Sequence, residues 1–170
     1  MSNLNTKQTA KAIRTELRSR YGWTAKQVSV RLSRFSMGSS VSVSIKTADI
    51  PLPLVKAIAE GFNQIDRCSI TGEILSGGNL YVTTDYEHGA LDALAETFQG
   101  QIVPGFRFGS LEVVDKRSGG WMSIIDTADG TRYHDAYPDS SAAHSFAHAV
   151  AASGTASGYA DQVAAAKEGR

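Results

Sequence analysis

Cysteine, net charge and long apolar runs are what this 170-residue chain has least of, and each absence excludes something. Cys68 is the one cysteine. It has no partner within the chain, so no internal disulfide staples the fold, and a lone thiol points to a reducing compartment. No apolar run approaches the roughly 20 residues that cross a bilayer. Residues 1–8 are polar and hold no apolar core of a secretion signal, so a cytoplasmic protein without membrane contact is expected. The usual local signatures of catalysis are missing as well. There is no Gly-x-Ser-x-Gly elbow, and Cys68 has no histidine near it in sequence. His144 and His148 stand four apart, but Ser145 occupies the place where a metalloprotease carries its glutamate. The stretch Asp126-Thr127-Ala128-Asp129-Gly130 fails as a calcium loop, because Ala128 and Gly130 fall where oxygen ligands belong. It reads instead as a hairpin turn. A non-enzymatic protein with no cofactor and no metal is the expectation.

Hydrophobic residues make up 42% of the chain and charged residues 20%, enough for a sizeable core without staples. The charge is unevenly placed. Residues 1–47 carry nine lysines or arginines against a single acid, Glu16, and the remaining residues balance this with 16 acids against eight bases. Two readings follow. Either the halves neutralise each other across the fold, or the N-terminal part meets something negative.

Periodicity predicts an α+β fold. Asn5 and Gln8 have the spacing of a capping box, and Tyr21-Gly22 ends the helix they start. Ala10, Ile13 and Leu17 form its buried stripe. Val28, Val30 and Leu32, then Val41, Val43 and Ile45, alternate with polar residues as half-buried strands do, with a turn at 36–39. A second helix follows Asp49, with Pro51 and Pro53 in its lead-in or first turn and Leu54, Ile58, Phe62 and Ile65 as its apolar face. A second hairpin is expected from residues 73–75 and 80–86, then a third helix on Leu91, Leu94, Ala95 and Phe98. The first two hairpins should share one mixed sheet, with the first two helices on its apolar face. Strands near 111–114, 121–125 and 132–137 follow, and then a helix from about Asp139 with Phe146, Ala149 and Val150 inward. The expected organisation is a domain over 1–100, a β-rich extension with a helix over 101–153 in the same compact unit, and an Ala/Gly-rich tail over 154–170. Two small-residue loops, 36–40 and 76–79, lead into strands rather than helices, so turns are favoured over phosphate cradles.

The most functional-looking feature is basic. Lys7, Lys11, Arg14 and Arg18 recur at helical spacing, about a quarter-turn from the apolar stripe, and Arg31 and Arg34 follow on or just after the next strand. Tyr21 and Trp23 stand at the helix end, where a base could stack. The alternative is a solvated helix face with the aromatics in the core.

The run from Ile13 to Leu17, the stretch Tyr21-Gly22-Trp23-Thr24-Ala25-Lys26-Gln27-Val28-Ser29-Val30-Arg31, and Phe35 to Val41 together resemble a large polyvalent protein-associated domain, the class numbered twenty-nine. Ile65-Asp66-Arg67 and Thr71 to Asn79 look like its second block, so the resemblance covers about residues 11–86. That family occurs in polyvalent proteins of phages and conjugative elements and as small stand-alone proteins. The resemblance implies a mobile element entering a bacterial host and an accessory or counter-defence role. It carries no catalytic residues. The expected function is an accessory binding protein that contacts nucleic acid or an acidic partner through the basic N-terminal face. The alternatives are an inhibitor of a host defence system, of anti-CRISPR or anti-restriction type, that contacts a host protein, and an unrecognised enzyme.

Overall fold

A computed structural model describes residues 5–35, 38–75, 79–116, 120–137 and 141–158. The fold is α+β. In chain order the elements are α1 (Thr6–Tyr21), β1 (Val28–Phe35), β2 (Gly38–Ile45), α2 (Leu52–Glu60), β3 (Leu80–Tyr86), α3 (Asp92–Phe98), β4 (Arg107–Phe108), β5 (Leu111–Lys116), β6 (Trp121–Asp126), β7 (Arg132–Ala136) and α4 (Ala142–Ser153), followed by a 3-10 turn at Thr155–Gly158. The chain forms two compact units rather than one. The first holds the described residues up to Lys46 together with Pro53–Glu87, and the second holds Thr47–Leu52 and the described residues from His88. The division therefore falls near residue 87 and not at 100, because α3 packs against α4. The expected tail also begins later, since Ala156 is buried; residues 159–170, with the helix expected there, lie outside the described residues.

In the first unit, α1 starts at the anticipated capping box. The Asn5 side chain accepts the Gln8 N–H, and the Gln8 side chain accepts the Asn5 N–H. Gly22 ends the helix in the left-handed region at φ 72°, where its N–H meets the Arg18 carbonyl. Asn5→Ala should cost about 1 kcal/mol, as helix caps generally do, measurable as a lower denaturant midpoint at unchanged m-value. Ala10, Ile13 and Leu17 are buried against the sheet, together with Thr9.

The sheet has the order β1-β2-β3. β1 and β2 form the expected antiparallel hairpin, pairing Val28 with Ile45, Val30 with Val43 and Leu32 with Val41; its turn, residues 36–37, lies outside the described residues. The second hairpin does not form. β3 lies parallel to β2, with Val82 opposite Val41. A parallel neighbour needs a crossover of a dozen or more residues, and α2 with the segment after it supplies one. Residues 73–75 instead close a local loop through an Arg67–Ile74 bridge. Buried Asn79 pins that loop, accepting the Asp66 N–H and donating to the Leu75 carbonyl; residues 76–78 are not among those described.

Val28, Val30, Val41, Val43, Ile45, Ile13, Leu17 and Ile58 are core, as expected, whereas Phe62, expected with them, is only half-buried. Leu32 is an exception at 43% exposure on the edge strand. α2 also differs. It stops at Glu60, before Gly61, and buries Val55, Ile58 and Ala59, so Phe62 and Ile65 follow the helix instead of extending its face.

In the second unit, β4-β5-β6-β7 form an antiparallel sheet, with a turn at Asp129-Gly130 and a short β4 that alternation did not announce. α4 begins after Ser141; Asp139, the expected start, lies outside the described residues. Phe146, Ala149 and Val150 are fully buried, as their spacing implied. The Phe98, Phe106 and Phe146 rings meet edge to face, with centroids 4.9–6.2 Å apart.

Candidate nucleic-acid interface

α1 runs antiparallel to β1, so each end of the helix has a known neighbour. At its start the Thr6 hydroxyl bonds the Ser39 hydroxyl at 2.8 Å, and Ser39 is paired with Arg34. Farther along, the Arg14 guanidinium donates to the Val30 carbonyl. The direction of that carbonyl follows from the ladder. Lys46 N–H donates to the Gln27 carbonyl, so residue 27 and its alternates face β2, while Val28, Val30 and Leu32 turn their backbone groups outward. Arg14 therefore caps the free edge of the sheet.

The structure places the six basic candidates unequally. Lys7, Lys11, Arg14 and Arg18 are all exposed, along about 16 Å of helix. Among the described residues no acid pairs with any of these four, whereas Arg20 on the same helix is bound to Glu16. Arg34 shares the sheet face of Val28 and Val30, because side chains alternate along a strand, and it stands near the start of α1. Arg31 points to the opposite face, where it lies 3.6 Å from Glu87. It does not join the others.

At the other end of this ridge, a pocket of about 260 Å³ opens between α1, the loop after it and the start of β1. Leu17, Val28 and Val30 line it as apolar residues, and Trp23, Arg14 and Arg18 line it with them. Tyr21 and Trp23 stack on one another, with centroids 4.4 Å apart and planes 15° from parallel. The stack fixes the indole, which is half-buried, while Tyr21 is 42% exposed and lines a separate recess beside α2. Leu17, Val28 and Val30 read as plain core in the sequence, so the recess they line left no signal there.

The remaining chemical candidates stand apart from one another. In the second unit His144 is exposed and lies 3.3 Å from Asp92. His148 is half-buried, and its ring meets that of His134 at 5.3 Å. Among the described residues no three His, Cys, Asp or Glu side chains gather closely enough to hold a metal. Nor is any described helix long and apolar enough to cross a membrane.

Cys68 lies in the loop before β3. A hydrogen bond from the Thr71 side chain, helped by backbone bonds from Thr71 and Ile70, pulls its thiol from 9.0 down to about 7. Being the single cysteine, it alone should take up iodoacetamide, with a rate rising through pH 7 as the thiolate forms. Thr71→Ala should move that midpoint upward; an unmoved midpoint would show that Thr71 does not hold the thiolate.

No protein-family model, curated protein or solved structure matches this chain.

Proposed function

We propose that the protein is a non-enzymatic nucleic-acid-binding module, acting through the basic side of α1. One observation carries this reading. Among the described residues, four exposed bases with no acidic partner share one side of α1, and two of them, Arg14 and Arg18, border a pocket that Trp23 also lines. Phosphates bind arginine and lysine through charge-assisted hydrogen bonds, and an aromatic side chain beside them offers a surface for a base. The setting belongs to the same proposal: an accessory protein of a phage or conjugative element, working inside a bacterial host, as the resemblance of residues 11–86 implies.

The test is an anisotropy titration of labelled DNA and RNA oligonucleotides with the whole chain at low salt. Binding that weakens steeply with added salt supports the proposal. No binding to any oligonucleotide, together with stoichiometric binding to a purified host defence protein, would replace it with the inhibitor reading.

A further inference from the structure

We infer that the pocket beside Trp23 takes the base of one unpaired nucleotide, and that the protein therefore prefers single strands to duplex. The inference rests on the proposed function and specifies how its site reads the ligand.

Size is the first argument. At about 260 Å³ the pocket falls below the roughly 300–1,000 Å³ that accept drug-sized ligands. It suits one ring system and not a dinucleotide. Shape and chemistry are the second. Leu17, Val28 and Val30 offer apolar surface, and the indole, held by Tyr21, offers a flat aromatic one. A base is planar, and every base has a π-face that can stack. Charge is the third. Arg14 and Arg18 lie four residues apart, one turn of helix, and both border the pocket. A base seated inside brings its own phosphate to that border. Arg14 spends part of its guanidinium on the Val30 carbonyl, but the group carries five donors, so others remain for a phosphate oxygen. Beyond the pocket, Lys11 and Lys7 continue along the helix in line with the rest of a strand.

A duplex cannot fill such a site without extruding a base, which costs unstacking and unpairing. It would use the phosphate contacts alone. A strand of the same length that lacks bases is limited in the same way, although it keeps every phosphate.

The experiment compares three probes on the full chain at one salt concentration. These are a short single strand of mixed sequence, the corresponding duplex, and an abasic single strand. The expected result is that the single strand binds at least about tenfold tighter than either of the others, the scale of one stacked base. Trp23→Ala should bring the single strand down to the affinity of the abasic strand. Ala25→Trp, which fills the pocket from an exposed loop position, should do the same. If Trp23→Ala does not fold by circular dichroism, Ala25→Trp and the abasic comparison still decide the matter. Equal binding of all three probes would overturn the base pocket while leaving nucleic-acid binding in place. So would a single-strand preference that survives Ala25→Trp. Failure of every probe to bind would overturn both the inference and the function on which it rests.

Discussion

Phe146→Ala is expected to cost about 3–5 kcal/mol of stability. The ring is fully buried in α4, and the Phe98 and Phe106 rings meet its edge or face within 5.3 Å. Removing it deletes apolar burial and two aromatic contacts, and it leaves a cavity that neighbouring alanines are too small to fill. Ala147, Ala149, Ala151 and Ala152 are already buried and have no spare side chain to move inward. Phe146→Leu, which keeps most of the volume, should cost much less. Chemical denaturation followed by far-UV circular dichroism checks both. A Phe146→Ala midpoint within error of the parent would mean that this aromatic cluster is not the core of the second unit.

The double charge reversal Lys11→Glu/Arg18→Glu is expected to weaken single-strand binding about 30- to 100-fold. Each lost phosphate contact is worth on the order of 1 kcal/mol, and a carboxylate in its place repels the strand. Stability should change by less than about 0.5 kcal/mol, since both side chains are exposed and neither has an ion pair to lose among the described residues. Arg14 is left intact for a structural reason. Its guanidinium holds the Val30 carbonyl at the sheet edge, so Arg14→Ala would mix lost binding with a disturbed edge. Isothermal titration with one oligonucleotide, alongside a denaturant curve, separates the two effects. A double variant that keeps parental affinity would remove the helix from the interface.

Much of the first unit was legible in the sequence because its signals are local. A capping box spans four residues, and the alternation of Val28, Val30, Val41, Val43 and Ile45 marks a buried face without reference to anything distant. Pairing direction is different in kind. Period-two alternation shows that Leu80 and Val82 point inward, but it is the same for parallel and antiparallel neighbours, so the hairpin expected before β3 was an assumption about connection. The third helix shows the same limit. Leu91, Leu94 and Phe98 define a face, and nothing local says that the face meets α4.

The basic face was half legible. The spacing of Lys7, Lys11, Arg14 and Arg18 placed them on one side of α1, where the structure has them. Separating Arg34 from Arg31 needed only the parity of the strand, since residue 31 alternates with the buried valines and residue 34 is in phase with them. The pocket was not legible, because a recess is a lack of atoms between residues that each look like ordinary core.

The central claim is that phosphates bind along α1, and the slope of log binding constant against log salt tests it most directly. Four contacts to a single strand predict a slope of about −3, or roughly a 50-fold loss between about 50 and 200 mM salt. Lys11→Ala/Arg18→Ala removes two contacts and should flatten the slope to about −1.4. A slope near zero, or one that the double variant leaves unchanged, would contradict the account.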